Sequence, residues 1–477
     1  MTTHAMPLTR DRPYGLYAIC FGFFLVLLDT TALNVATASI ERDFSGTMSG
    51  LQWIVNSYTI IFASLVLTCG ALGDRYGAKR LYQMGLGLFT LMSLASALAP
   101  NVGLLIVMRM FQGLGAAMML PASLALLSHL FPDPSARARA VSFWASIVSL
   151  GFAAGPALGG LFTHLFGWRS IFLLNVPTGI VALVMVRAFI DETTTRSRSV
   201  DWTGQASVSL ALWALSYALI EAGAVGWTAP RVLAGFAVSI ALALGFAVVE
   251  RHSLSPVLPR ALFSRAAFSV CIAAGVFMNL GVYGMLFIET LYVQNVLHLS
   301  ALATGAMVLP FTVLPTVTTR LLDRYQPHLH FKPRLVTGHV FGVAGALLMV
   351  VSVLIPANGI ILLGLGVLGV AVGYITPAMT TGVLVSSPAE TSGLASGILN
   401  AGRQVGGAIG VALMGTLLET HHAQGMVVSL GLMLGLFLIM VFVARWMIPD
   451  EHRATALAGL YAHGGNGHRT RGTQPDP

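Results

Sequence analysis

Long apolar runs, separated by short polar loops, dominate the hydrophobic pattern of this chain. A helix that crosses a bilayer needs about 20 mostly apolar residues. Fourteen such runs are read, at 14–39, 51–72, 81–99, 103–127, 141–162, 170–190, 203–221, 231–249, 266–291, 302–322, 334–355, 358–382, 394–418 and 426–447. Gly and Pro recur inside them, as spanning helices permit where neighbours re-satisfy the backbone. The pattern therefore predicts an all-α polytopic membrane protein with fourteen transmembrane helices.

The order reads six, two, six. A tail at 1–13 precedes a six-helix bundle at 14–190, and a linker with an inserted helix pair fills 191–265. A second six-helix bundle occupies 266–447, and the polar tail 448–477 is expected to be disordered. An internal echo supports two parallel halves: Leu72-Gly73-Asp74-Arg75-Tyr76 recurs as Leu321-Leu322-Asp323-Arg324-Tyr325, each after the second helix of its half. Many secondary transporters are built from such repeats. The second copy continues as Gln326-Pro327 and lacks the Gly77 and the Lys79-Arg80 pair of the first, so the first loop is expected to dominate.

Charge fixes the orientation. With Arg10 and Arg12 on the cytoplasmic side, the cytoplasmic loops hold Arg75, Lys79, Arg80, Arg137, Arg139, Arg196, Arg198, Arg251, Arg260, Arg265, Arg320, Arg324, Lys332 and Arg334. The opposite loops hold only Arg42, Arg169 and Arg231. Basic residues concentrate on the cytoplasmic side of membrane proteins, so both termini are expected there. No cleavage site follows the first apolar run, which reads as a retained helix rather than a signal peptide.

Composition agrees. Only 9% of the 477 residues are charged and 56% are hydrophobic, with a mean hydropathy of +0.80. Soluble domains carry about 25% charged residues, so this surface is solvated by lipid. The net charge of +8 sits in interhelical loops and serves orientation, not nucleic-acid binding. Cys20, Cys69 and Cys271 lie in apolar runs with no metal or disulfide spacing. The chain has no phosphate-binding loop, dinucleotide fingerprint or hydrolytic triad. No metal or organic cofactor is expected, and an ion gradient is the energy source left for transport. An enzyme is not expected.

Ionisable residues inside the runs are the functional candidates. Asp29 stands about 22 Å into the first helix at 1.5 Å per residue, as a proton site or an attractor for a cationic substrate. Arg109 stands at a similar depth in the fourth run; it stays charged, so it cannot carry the proton but can govern a neighbouring carboxylate. Gly151, Gly155, Pro156, Gly159 and Gly160 form a small-residue face with a kink, which allows close helix approach. In the loop Gly73, Asp74, Arg75, Gly77 and Arg80, topology explains the basic residues but not Asp74. Arg403, with Asn400 and Gln404, lies inside the thirteenth run. Asn34, Trp53, Asn56, Tyr58, Gln112, Asn279 and Tyr283 are further cavity candidates. Glu221 and Glu289 read as hydrated residues at outward helix ends.

Taken together, these motifs resemble the major facilitator superfamily, in its fourteen-helix drug:proton antiporter branch. Gly70 to Arg80 resembles the loop between helices 2 and 3, and Arg109-x-x-Gln112-Gly113-x-Gly115 the helix 4 motif. Gly151-x-x-x-Gly155-Pro156-x-x-Gly159-Gly160 resembles the antiporter motif of helix 5, and Leu28-Asp29-x-Thr31-x-x-Asn34-Val35-Ala36 that of helix 1. Trp168-Arg169, Asn175-Val176-Pro177-x-Gly179 and Asp201-Trp202-x-Gly204 match further patterns. The resemblance implies two rocking bundles and export of amphipathic or cationic small molecules against protons, by alternating access, across a bacterial inner membrane. It implies a latch role for the Asp74 loop, proton coupling at Asp29 and Arg109, and a cavity seal at the helix 5 glycines. A dedicated exporter of one metabolite or antibiotic is the nearest alternative; a nutrient symporter, a receptor and an intramembrane enzyme are weaker ones. The partners expected are the substrate, protons and lipid, with a monomer compatible and the oligomeric state open.

Overall fold

The computed structural model describes residues 12–193, 202–252, 258, 260–326, 328–355, 357–388, 391–421 and 424–448. The two tails and residues 194–201 of the linker, with Arg196, Arg198 and the motif residue Asp201, lie outside them. Fifteen helices are present among the described residues. The first six are α1 (Arg12–Phe44), α2 (Met48–Tyr76), α3 (Ala78–Ala97), α4 (Val102–Leu130), α5 (Pro134–Phe166) and α6 (Arg169–Phe189). A pair follows, α7 (Trp202–Val225) and α8 (Pro230–His252), then a single turn, α9 (Arg260–Phe263). The chain ends with α10 (Ala266–Asn295), α11 (Ala301–Tyr325), α12 (Phe331–Leu354), α13 (Asn358–Val385), α14 (Ser392–His421) and α15 (Gly425–Met447). We call α1–α6 the first half and α10–α15 the second.

Twelve of these helices are long and apolar enough to cross a membrane. The remaining two long ones are α3, which opens on Lys79, Arg80 and Gln83, and α14, which carries Asn400, Arg403 and Gln404. The expected fourteen spans thus become twelve on length and apolarity alone, because polar residues dilute the other two.

Local chemistry sets the helix starts. Thr47, Asn101, Asp133 and Ser300 each accept a hydrogen bond from a backbone amide three residues on, satisfying a donor the helix cannot. The Ser135 hydroxyl and then the Ala136 amide hold the Asp133 carboxyl below the usual carboxylate range. Between α2 and α3 the chain reverses at Gly77, whose φ of +96° favours glycine.

The two ends of the bundle differ. At the end away from the Gly70–Arg80 loop, one apolar core runs through both halves, from Ala32, Ile40, Leu51 and Leu105 to Leu286, Val308 and Val411. Polar contacts reinforce it: Gln294 donates to the Val35 carbonyl at 2.9 Å, Asn295 to Glu41 at 2.9 Å, and Gln52 to the Ala412 carbonyl at 2.8 Å. At the loop end the first half packs largely on itself, through Ile19, Val26, Tyr82, Phe89 and Leu126.

The inserted pair has a definite seat. Thr68 of α2 donates to Gln205 of α7 at 2.5 Å, and Gln205 donates to the Ser64 carbonyl. Thr416 of α14 donates to the Leu219 carbonyl at 2.7 Å. Helix α7 therefore lies along the seam, bonded to one helix from each half, while α8 packs behind it with its apolar residues Leu233, Ile240 and Leu244 exposed.

Candidate functional site

Asp29 lies on the continuous helix α1. Helix α1 extends beyond the apolar run at both ends, to 33 residues, so Asp29 falls near its middle, about 25 Å from Arg12. Its carboxylate is 1% exposed and pairs with Arg109 of α4, also 1% exposed, at 2.5 Å. The other carboxylate oxygen accepts from Asn175 of α6 at 2.8 Å.

A closed ring of hydrogen bonds surrounds the pair. Arg109 donates to the Gln112 carbonyl oxygen at 2.9 Å, and the Gln112 amide donates to the Ser93 hydroxyl of α3 at 2.6 Å. Asn175 also donates to Ser93, at 3.2 Å, which closes the ring back to Asp29. Ser96 donates to Gln112 at 3.4 Å. Every side chain in the ring is buried. Tyr58 of α2 covers the guanidinium, with the cation 4.4 Å from its ring centre. Buried charges are tolerated when paired and hydrogen-bonded, and this pair draws on four helices of one half. Ser93, Ser96 and Asn175 are not among the site residues read from sequence. Asn175 is visible there as part of a motif, and a polar residue in mid-helix is its signal; the two serines carry none, because hydroxyls are common in such helices.

The helix 5 glycines pack on two faces. A Cβ on Gly151 would fall 2.7 Å from the Phe24 carbonyl oxygen, and one on Gly159 2.7 Å from the Ala32 Cα. A Cβ on Gly155 would meet the Thr31 hydroxyl and the Leu28 carbonyl. These residues flank Asp29 on α1. The other face turns to α11: a Cβ on Gly160 would lie 2.5 Å from the Ala301 carbonyl oxygen, and the Pro156 carbonyl meets Gly305. Helix α5 thus joins the Asp29 helix to the opposite half.

Other candidates are placed apart from the ion pair. Arg80 pairs with Glu192, in the chain just after α6, at 3.4 Å, with both side chains exposed. Arg75 is exposed against the Tyr76 ring, Asp74 is half-buried, and the Gly73 carbonyl accepts from the Gly77 amide at 3.0 Å. Asn34 bonds within α1, to the Thr30 carbonyl at 3.3 Å. Asn56 is buried with neither amide atom partnered, and Asn279 is buried in α10. Asn400 donates to the Ser396 carbonyl at 3.1 Å; Tyr283, Arg403 and Gln404 are half-buried.

Trp53, a cavity candidate, stacks on Trp213 of α7, with ring centres 5.3 Å apart, beside Leu219 and Ala412. Aromatic pairs contribute about 0.5–1.5 kcal/mol beyond area burial. Trp53→Ala should therefore lower the thermal midpoint of the purified protein while leaving the order of substrate preference unchanged; an altered preference refutes the packing role. Two readings are corrected, and the first is that of Glu289, which is not a hydrated end residue. It is 1% exposed in α10, and its Oε1 has no partner. Glu221 is bonded rather than merely hydrated, 3.1 Å from Arg231 of α8.

The sequence profile of the Major Facilitator Superfamily matches residues 19–411, and the chain belongs to that family. It is 34% identical over 456 residues to the methylenomycin A resistance protein of Streptomyces coelicolor, covering 94% of this chain and 96% of the relative. It is 35% identical over 413 residues to the multidrug resistance protein Stp of Mycobacterium tuberculosis, covering 86% and 76%. With the tetracenomycin C resistance and export protein of Streptomyces glaucescens the figures are 34%, 86% and 77%. The fold resembles a peptide transporter solved with sulfate, with a TM-score of 0.70 at 16% identity, covering 91% of this chain and 94% of that one. It also resembles a D-xylose–proton symporter, with a TM-score of 0.68 at 13% identity, covering 91% and 97%. The chain is a multi-pass membrane transporter whose relatives are named for drug or antibiotic resistance and efflux.

Proposed function

We propose that the protein is a proton-coupled antiporter of the fourteen-helix drug-exporting branch, moving amphipathic small molecules out across the bacterial plasma membrane. The buried Asp29–Arg109 pair carries this reading: it is the one carboxylate–guanidinium pair in mid-bundle among the described residues. Helices α3 and α14, of 20 and 30 residues, complete the count of fourteen. With the Gly70–Arg80 loop in the cytoplasm, the sealed far end makes this an inward-facing state. The loop's Arg80 is then held by Glu192 of its own half, as expected of a latch that engages the second half only when the cytoplasmic end closes.

Proton arrival at Asp29 removes one charge of the pair. Arg109 keeps Gln112, the Ile54 carbonyl and the Tyr58 face as partners, so α1 is released from α4 while Arg109 stays fixed. Helix α5, packed on α1 beside Asp29 and on α11 beyond, transmits that release to the seam. Tight packing makes such seams switch between discrete arrangements.

Inverted membrane vesicles with an imposed pH gradient test this. The wild type should accumulate drugs from a mixed panel only with the gradient, and Asp29→Asn should fall to the passive level. No gradient-dependent flux of any compound in the wild type refutes antiport; normal accumulation by Asp29→Asn removes Asp29 as the coupling group.

A further inference from the structure

Arg403 is the deep charge without a partner. It stands about 17 Å along α14 from Ser392, and arginine remains charged in proteins. Its Nε is sealed from solvent with no acceptor, and no carboxylate pairs with it among the described residues. The residue is half-buried overall, and its two terminal nitrogens are not among the sealed, unpartnered atoms. A charge in a membrane span is costly and is normally compensated. The Asp29–Arg109 ring shows how this chain compensates one charge, with an ion pair and a full set of hydrogen bonds. Arg403 has neither.

The unpartnered Glu289 cannot serve. Gly402 and Gly406 of α14 pack against Ile272 and Val276 of α10, and Glu289 lies at least thirteen residues further along α10 than these, about 20 Å away.

The nearest neighbours of Arg403 lie on α10. Gly275 leaves room for its stem: a Cβ there would lie 3.0 Å from the Arg403 Cγ. One turn along α14, a Cβ on Gly407 would lie 3.5 Å from the Tyr283 ring. Tyr283 is near enough to act electrostatically on Arg403, and also on Tyr58 across the seam. Tyr58 in turn covers Arg109. Ala401 packs with the core of the first half, and Leu67 of α2 meets Gly397. Arg403 therefore sits on a helix turned to the seam, beside an aromatic ring, with its fork unfilled.

We infer that Arg403 is an anion-binding subsite for the exported compound, and that the preferred substrates are amphipathic carboxylic acids rather than cations. This rests on the export reading above. The planar guanidinium matches a carboxylate with two parallel hydrogen bonds, and the half-buried Tyr283 supplies a flat apolar face for the rest of the molecule.

Calorimetry on the purified full-length protein in detergent tests the inference with 2-naphthoate and its methyl ester. The wild type should bind the acid at least tenfold more tightly than the ester. Arg403→Gln should lose that preference by weakening the acid alone, with unchanged ester affinity reporting an intact fold, and Arg403→Lys should retain part of it. A wild type that binds the ester as tightly as the acid, or binds neither, overturns the inference, as does Arg403→Gln with its preference intact. Binding needs no proton gradient, so loss of gradient-driven flux in vesicles would sink the antiport reading and leave this comparison to stand or fall separately.

Discussion

Arg109→Met is expected to destabilise the purified protein far more than the double variant Asp29→Asn/Arg109→Met. Removing the guanidinium alone strands the Asp29 carboxylate, which is 1% exposed and keeps the Asn175 amide as its side-chain donor. Breaking a buried ion pair from one side typically costs about 3–5 kcal/mol, whereas replacing both charges with well-packed neutral groups is often close to neutral. In the double variant the new amide on α1 still has Asn175 beside it, and the introduced methionine fills much of the space under Tyr58. The thermal midpoint in detergent should drop steeply for the single variant and recover most of the way in the double. Gradient-driven accumulation should be absent from both. That pattern separates the two roles of the pair: stability follows charge balance, whereas coupling is expected to require both members. Equal losses of stability in the single and double variants would show that the pair is not held by charge balance at all.

The ion pair is legible in the sequence because its two members are expensive. Asp29, the one Asp in the apolar run at 14–39, and Arg109, the one Arg in the run at 103–127, stand out by cost alone. Their partners do not, because Ser93 and Ser96 are cheap in a helix and gain meaning only when α3 is laid beside α4 and α6. The helical order is legible for the same reason as the charges: lipid imposes length and apolarity on each span. Helices α3 and α14 blur that signal because Lys79, Arg80 and Gln83 in one, and Asn400, Arg403 and Gln404 in the other, lower their apolarity. Glu289 escapes a sequence reading because a carboxylate near a helix end looks hydrated. The end of α10 is instead packed into the core shared by both halves, a tertiary fact that no single helix records. The stacking of Trp53 on Trp213 escapes it likewise, since nothing in the sequence shows that α7 lies against α2. The seat of α7, through Gln205 and Leu219, depends on neighbours more than a hundred residues away in sequence.

Gly159→Ala and Gly160→Ala differ by one position and should have different consequences. Gly159 faces α1 within one half, where a Cβ would crowd the Ala32 Cα at 2.7 Å, its Cβ at 2.8 Å and its carbonyl oxygen at 2.9 Å. None of these is the tip of a flexible side chain, so α1 and α5 must separate. Overpacking of this kind typically costs about 1–3 kcal/mol, and the displaced helix carries Asp29. Gly159→Ala should therefore lower the thermal midpoint and impair coupling together. Gly160 instead faces the Ala301 carbonyl at 2.5 Å, across the seam between halves. A methyl group there leaves each half intact and penalises only the closed far end. Each 1.4 kcal/mol of such a penalty shifts the balance of states about tenfold, and that shift runs toward the state with the far end open. Spin labels at positions 41 and 295, whose native side chains are hydrogen-bonded here, read the change by pulsed dipolar spectroscopy. Gly160→Ala should lengthen the dominant distance with little loss of stability, and Gly159→Ala should lose stability without lengthening it. If both variants behave alike, the two faces of α5 do not act separately, and α5 is not the element that carries the state of Asp29 to the seam.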